Sequence, residues 1–161
     1  MIDIETGLRV LAGGQVEFIV VGGVAARAHG SARLTNDLDV LYRRTVENIA
    51  RVVVALAGHS PYLRGAPPGL PFHWDADTVR KGLNFTLTTT FGDLDLLGEI
   101  TGGGRYEALQ ADSTPVAVFG IEVRCLNLEP LIHVKRAAGR PKDLEAVAEL
   151  EALLEERDRS C

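Results

Sequence analysis

Two aspartates separated by one residue, Asp37 and Asp39, lie in a stretch of alternating polar and apolar residues. This alternation predicts a β-strand over residues 37–41, on which both carboxylates project from the same face. Hard divalent cations such as Mg²⁺ prefer oxygen ligands and retain coordination positions for phosphate oxygens. The pair therefore indicates a candidate metal site, with the alternative that both acids lie on the solvated face of a half-exposed strand.

A glycine pair precedes this aspartate strand. Residues 18–21 form an apolar run of the length and β-branched content expected of a buried strand. Gly22 and Gly23 then end the strand, and residues 24–29 have the composition of a short helix. The sequence thus predicts a strand, a glycine turn and a helix ahead of the two acids.

The loop predicted over residues 30–36 carries two further polar side chains, Arg33 and Thr35. Together with the aspartates they form the string R-x-T-x-D-x-D. A glycine pair or a D-x-D string is a weak signal alone, whereas their conjunction in one short segment is much less expected by chance. This conjunction favours a functional site over a solvated strand.

A third carboxylate, Asp95, lies between leucines in the second strand of a predicted hairpin formed by residues 83–90 and 93–97. An ionised carboxylate in a largely buried strand is costly unless it is paired or binds a metal. Asp95 is therefore the third candidate ligand. Asp93 projects from the same face nearer the turn, either as a secondary ligand or hydrogen-bonded to turn amides.

One lysine is predicted on the inward face of a helix over residues 128–138, which Asn127 precedes as a cap. Leu131, Lys135 and Ala138 share this face. Lys135 then either contacts an anion or extends its ammonium group into water.

The last predicted helix begins at Pro141, after Gly139 ends the preceding one. Proline is tolerated there because the first helical amide needs no partner within the helix. Its apolar stripe comprises Leu144, Val147, Leu150 or Glu151, and Leu154.

Two more helices and one more hairpin complete the expected elements. Hydrophobic spacing predicts helices over 4–11 and 46–56, the first ended by the glycines at 13–14 and the second capped by Thr45. Residues 115–119 and 121–126 read as the hairpin.

A proline- and glycine-rich segment, residues 58–82, is predicted to lack regular structure. Long loops in compact domains are often functional or mobile, so this one could form a rim over a substrate cleft. The alternative is that Trp74 packs against the edge of the core.

The string Gly22-Gly23-x-Ala25 … His29-Gly30-x-x-Arg33-x-Thr35-x-Asp37-x-Asp39 resembles the head of a minimal nucleotidyltransferase. The family is the DNA polymerase beta superfamily, in the branch that includes AbiEii-type toxins and small uncharacterised relatives. The strings around Asp95 and over 138–144 are similar as well.

The resemblance implies an α/β (α+β) nucleotidyltransferase fold, with a mixed sheet flanked by helices and a C-terminal helix pair. It further implies one domain over 1–161, with a catalytic core over 1–126 and a helical portion over 127–161.

The resemblance also implies the activity, which is transfer of a nucleoside monophosphate from a nucleoside triphosphate to a hydroxyl, with release of pyrophosphate. Two Mg²⁺ ions are expected, with Mn²⁺ as a substitute. The implied catalytic and metal-binding residues are Asp37, Asp39 and Asp95, and the implied nucleotide-binding residues are Gly22, Gly23, Arg33, Thr35 and Lys135.

The implied roles of Arg33 and Thr35 have alternatives. Arg33 either neutralises charge on the leaving pyrophosphate or pairs with Asp37. Thr35 and His29 are better interpreted as organisers of the loop. The superfamily usually has Ser directly after or within the glycine pair, where this chain has Val24.

The acceptor stays open between an RNA such as transfer RNA, a protein and a small antibiotic-like molecule. A cognate toxin or antitoxin partner is a further expectation. The alternative function, which Val24 favours, is a nucleotide- or partner-binding module that kept the fold and lost catalysis.

Composition places the 161 residues among single soluble domains, with 46% hydrophobic and 24% charged residues. No apolar run approaches the roughly 20 residues that span a bilayer, and the acidic N-terminus is unlike a secretory signal. Two cysteines, at 125 and 161, provide no disulfide framework or zinc spacing. A cytoplasmic location is expected. The net charge of −5 argues against broad adhesion to nucleic acid, although a local basic patch could still hold RNA.

Overall fold

The computed structural model describes residues 1–160, and the expectation about Cys161 lies outside these residues. The seven strands are β1 Phe18–Val21, β2 Asp37–Tyr42, β3 Tyr62–Leu63, β4 Phe85–Thr89, β5 Gly92–Leu97, β6 Ser113–Val118 and β7 Ile121–Leu126. The α-helices are α1 Ile4–Gly13, α2 Gly22–Ala28, α3 Val46–Ala57, α4 Ala76–Lys81, α5 Tyr106–Leu109, α6 Leu128–Ala138 and α7 Pro141–Arg159.

All strands belong to one mixed sheet in the order β3-β4-β5-β2-β1-β7-β6. Two pairs, β2 with β5 and β1 with β7, are parallel, and the other neighbours are antiparallel. The interior strand β1 is buried along its whole length, as its unbroken apolar sequence predicts. The expected α/β architecture with a mixed sheet is therefore confirmed.

A continuous hydrophobic core extends from α1 to α7. Helices α1 and α3 contact each other, α2 packs on β1, β2 and α6, and α6 packs along α7. The expected C-terminal helix pair is thus present, while the division of the chain at residue 126 stays a prediction. Within residues 1–160, every helix is too short or too polar to cross a bilayer.

The start of α2 differs from the prediction, which placed both glycines before the helix. The helix begins at Gly22, whose φ of +64° is readily accessible to glycine. Gly22 and Gly23 therefore form the first turn of the helix itself.

The proline-rich segment contains regular structure, which corrects the prediction for residues 58–82. Tyr62 and Leu63 pair with β4 as an edge strand, a contact distant in sequence. Asp75 caps α4 by accepting a hydrogen bond from the amide of Thr78. The indole of Trp74 donates to the carbonyl of Val53, so this side chain packs at the core edge.

Two smaller predictions about the C-terminal helices are also corrected. Asn127 is the N-cap residue of α6, as predicted, but its side chain forms no capping hydrogen bond, because its carbonyl accepts from the hydroxyl of Thr114. Leu144 is 52% exposed, because α7 turns Asp143, Ala146, Val147 and Leu150 inward.

Candidate active site

The three predicted carboxylates come together at the junction of β2 and β5. The parallel register places Asp37 beside Asp93 and Asp39 beside Asp95. Because residues two apart share a face, all four acids project from one side of the sheet. Asp37, Asp39 and Asp95 each offer a carboxylate oxygen, and these oxygens lie within 4.8 Å of one another. We call these three residues the acidic triad.

Burial and mutual repulsion dominate the electrostatics of the triad. Desolvation, the charge of Asp37 and the proximity of Asp95 raise the pKa of Asp39 to about 8. The Oδ1 atom of Asp39 is buried and accepts no hydrogen bond from residues 1–160, and the buried Oδ1 atom of Asp95 lies 2.8 Å from Nη2 of Arg64 without accepting a hydrogen bond from it. Buried acceptors are normally satisfied, so this donor set fits a divalent cation, which would ligate these oxygens and offset the repulsion.

The glycine pair lies against the triad and its loop. A Cβ atom on Gly22 would stand 2.0 Å from Oδ2 of Asp39, and one on Gly23 would stand 2.7 Å from Oγ1 of Thr35. Both distances are far below van der Waals contact. Only glycine therefore lets the start of α2 approach the carboxylate and the loop this closely.

The triad opens into a cleft of about 310 Å³ between the sheet and helices α6 and α7. Burial lowers the pKa of Lys135, which lines this cleft from α6, while the charges of Asp143 and Asp39 raise it in opposition. Arg140 and Lys142, at the start of α7, add two more cations. The cleft therefore combines a cluster of carboxylates with side chains that attract anions.

Asp143 fixes one of these cations. This carboxylate is 4% exposed, and it accepts a hydrogen bond of 2.6 Å from Nε of Arg140. It also accepts from the backbone amide of Arg140 at 3.3 Å, which completes a capping box at the start of α7. Arg140 is thus held at the cleft by the helix that it precedes.

Hydrogen bonds and an ion pair connect the loop over residues 30–36 to α7. The carboxylate of Glu149 accepts from the Ser31 hydroxyl at 2.5 Å and from the Ala32 amide at 3.1 Å. Arg33 lies 3.6 Å from Glu145, one helical turn earlier. The ion pair of Arg33 is thus with α7, which corrects the expected alternative of a pair with Asp37.

Thr35 and His29 both organise the chain around the site. The Thr35 hydroxyl donates to the backbone carbonyl of Asp37 at 2.9 Å and also lines the cleft. The Nε2 atom of His29 is hydrogen-bonded to the carbonyl of Leu126 at 2.8 Å, which ties the end of α2 to β7.

Val24 does not face the cleft. Its side chain lines a separate apolar groove, where α1 and α2 face the hairpin of β6 and β7. Gly23 is the residue of this turn that lines the cleft. The departure at Val24 therefore lies outside the surface that lines the cleft.

Several cleft residues were missed by sequence reasoning. Arg140 and Lys142 belonged to a string that resembles the family, but nothing in their spacing showed that α7 would turn them toward the triad. Asp143 and Glu149 resembled ordinary surface acids of a helix. Arg64, which contacts Asp93 and Asp95, lies in the segment that was predicted to be irregular.

The fold is similar to those of solved structures. One is the antibiotic-resistance factor ANT(2'')-Ia, a nucleotidyltransferase whose solution structure is described as revealing substrate-regulated conformation dynamics. It has 16% sequence identity and a TM-score of 0.54, over 98% of this chain and 91% of that one. The chain has the nucleotidyltransferase fold.

A second similar structure is TM1012 from Thermotoga maritima, described as a nucleotidyltransferase candidate. It has 16% identity and a TM-score of 0.49, over 97% of this chain and 96% of that one. Comparison with protein-family models and with curated protein sequences finds no match. Membership of the AbiEii-type branch stays a prediction.

Proposed function

We propose that the protein is a metal-dependent nucleotidyltransferase, which moves a nucleoside monophosphate from a nucleoside triphosphate to an acceptor hydroxyl. The observation that carries this proposal is the acidic triad, with its three carboxylate oxygens within 4.8 Å of one another beside a cleft lined by cations. The nucleotidyltransferase fold supports the same reaction class.

In this reaction the acceptor oxygen forms a bond to the α-phosphorus, and the bond from that phosphorus to the bridging oxygen breaks to release pyrophosphate. Asp37 and Asp39 would hold two Mg²⁺ ions, or Mn²⁺ in their place, and Asp95 would complete the ligand set and accept the hydroxyl proton. Bound divalent ions supply charge stabilisation of the entering and leaving oxygens.

The remaining cleft residues bind the triphosphate. The amides of Gly22 and Gly23 donate to phosphate oxygens, which the lack of side chains lets approach closely. Lys135 and Arg33, with Arg140 and Lys142 beside them, neutralise the charge that develops on pyrophosphate. Thr35 keeps the loop in place for these contacts.

Calorimetric titration of Mg²⁺-ATP, and then of the other nucleoside triphosphates, tests the proposal. Wild-type protein should bind in a metal-dependent manner, and the double variant Asp37→Ala/Asp39→Ala should not. A well-folded wild type that binds no triphosphate with Mg²⁺ or Mn²⁺ would exclude the enzyme.

The acceptor can then be sought by pyrophosphate release with transfer RNA, with protein and with small hydroxylated antibiotics. The last class is included because the similar structure ANT(2'')-Ia is an antibiotic-resistance factor. An inactive binding module, the alternative function, would bind a triphosphate and release no pyrophosphate with any acceptor.

A role in a toxin–antitoxin pair is the narrower form of the proposal. As a toxin, the wild-type chain would arrest growth when expressed alone, and Asp37→Ala/Asp39→Ala would not. Growth arrest by both chains would show that the arrest is independent of the triad.

A further inference from the structure

Arg64 lies on the outer side of the acidic residues of β5. It directly follows β3, which is separated from β5 only by β4. Its Nη2 atom is 2.8 Å from Oδ1 of Asp95, and its Nε atom is 3.4 Å from Oδ2 of Asp93. Since β2 lies on the other side of β5, Asp95 stands between this guanidinium and Asp39.

The guanidinium is fixed in this position by the backbone. Its Nη2 atom also donates to the carbonyl of Leu87 on β4 at 2.9 Å, and the Arg64 amide donates to the carbonyl of Thr86. A guanidinium is planar and rigid, so contacts on several sides leave it little freedom. It can therefore define the orientation of the carboxylates that it touches.

Asp93 and Asp95 depend on this cation in different ways. Oδ1 of Asp95 is buried and accepts no hydrogen bond from residues 1–160, so Arg64 supplies its compensating charge. Asp93 is drawn to the same guanidinium and is not part of the acidic triad. Arg64 thus contacts both acids of β5, and of the two only Asp95 also belongs to the triad.

We infer that Arg64 is a positioning residue for the metal site, which holds Asp95 in the orientation that completes the triad with Asp37 and Asp39. This inference rests on the proposed function. Without Arg64, Asp95 loses the charge that compensates its buried oxygen, and it turns away from the triad.

The direction of the change in metal affinity on replacing Arg64 distinguishes a positioning role from a simple electrostatic effect. Removal of a positive charge near a bound cation would by itself tighten metal binding. Loss of a correctly oriented ligand would instead weaken metal binding. Arg64→Met keeps an unbranched aliphatic side chain and removes the positive charge. It should weaken Mn²⁺ binding by about tenfold, because one ligand no longer contributes.

The experiment is a double-mutant cycle on Mn²⁺ affinity, read from the electron paramagnetic resonance signal of free Mn²⁺. Wild type, Arg64→Met, Asp95→Ala and the double variant are titrated with Mn²⁺ alone. If Arg64 acts through Asp95, the double variant binds no more weakly than Asp95→Ala. Arg64→Lys restores the positive charge but lacks the planar guanidinium, so it should recover part of the Mn²⁺ affinity.

A matched control is Arg124→Met. Arg124 is also a half-buried arginine, but it donates to the carbonyls of Gln110 and Ser113 away from the triad. This variant should bind Mn²⁺ as wild type does. If Arg64→Met does not fold, Arg64→Gln, which keeps an amide donor toward Leu87, replaces it with the same expectation.

Three results would overturn the inference. Unchanged or tighter Mn²⁺ binding by Arg64→Met would show that Arg64 does not position a ligand. Additive losses in the double variant would show that it does not act through Asp95. Both results leave the proposed function standing, whereas a wild type that binds no Mn²⁺ would overturn the function and this inference together.

Discussion

The backbone of Gly22 lies so close to the Asp39 carboxylate that a single methyl group on Gly22 would displace this carboxylate. Gly22→Ala places a Cβ 2.0 Å from Oδ2 of Asp39 and forces alanine to a φ of +64°. The left-handed conformation alone should lower the free energy of unfolding by about 1–2 kcal/mol. We expect the variant to lose Mn²⁺ binding, measured by calorimetry, while it remains folded by circular dichroism.

Gly13→Ala is the matched control, because a Cβ at Gly13 would meet no atom within 4 Å. It should retain both stability and Mn²⁺ affinity. Unimpaired Mn²⁺ binding by Gly22→Ala would contradict the role of this close approach.

Asp39 should make the stability of the metal-free protein depend on pH. Its pKa rises from 3.8 to about 8 on folding, because burial and the neighbouring carboxylates disfavour the charged form. The stabilisation from this group is therefore complete below the unfolded pKa and is lost as the pH rises through the folded pKa. Asparagine does not ionise, so Asp39→Asn should not lose this stabilisation. The free energy of unfolding of Asp39→Asn relative to wild type should therefore increase between about pH 5 and about pH 8.

Urea unfolding with a metal chelator measures this difference, and Glu122→Gln, a substitution of an exposed acid on β7, is the control. A pH-independent difference between Asp39→Asn and wild type would contradict the assignment. Below about pH 8 the same proton should be released when Mn²⁺ binds, which titrations in buffers of different ionisation enthalpy detect.

At the scale of elements, Asn48 joins the start of α3 to the ends of two central strands. This fully buried side chain accepts from the amide of Glu17 at 2.7 Å. It also donates to the carbonyls of Glu17 and Arg43 at 2.9 and 2.8 Å. Asn48→Ala should lower the free energy of unfolding by about 3 kcal/mol, because several buried polar groups lose their partner.

Val54→Ala on the same helix is the control for this measurement by urea unfolding. Val54 is 75% exposed, so its truncation should change stability by less than about 0.5 kcal/mol. A comparable effect of the two variants would show that the hydrogen bonds of Asn48 do not hold the strands.

Helix α7 holds the loop over residues 30–36 through Glu149. Glu149→Ala removes the bonds to the Ser31 hydroxyl and the Ala32 amide, so the loop should open more often. Faster proteolysis within the loop and about tenfold weaker triphosphate binding are expected, since the loop carries Arg33 and Thr35. Limited proteolysis with mass spectrometry and calorimetry measure the two effects.

Glu156→Ala, near the exposed end of the same helix, should change neither. Loss of triphosphate affinity without faster cleavage of the loop would indicate that Glu149 contacts the nucleotide instead of holding the loop.

At the scale of the whole molecule, the sequence predicted the parts of the site that depend on local pattern. Strand alternation around Asp37, Asp39 and Asp95 determined which face each acid occupies, and the sheet then brought these faces together. The glycine pair was also recognised from the local sequence, but its position in the first turn of α2 was not predicted.

The rest of the site depends on contacts between distant segments, which a pattern in one sequence does not reveal. Arg64 reaches Asp95 only because a two-residue strand pairs with β4 across a proline-rich segment. Arg140 reaches the cleft because α7 folds back along α6. In both cases the residue reaches the site through a tertiary contact, which the local sequence does not predict.

Trp74 gives this molecule a built-in optical reporter. It is the single tryptophan of the chain, and its ring packs near Phe72 and Phe85 at the edge of the sheet that also carries Arg64. The emission of a buried indole shifts to longer wavelength when water reaches it. Phe72 also packs edge-on against Tyr62 of β3. Detachment of β3 from β4 would therefore disturb the packing around Trp74 and be visible as a wavelength shift of the intrinsic fluorescence, without any label.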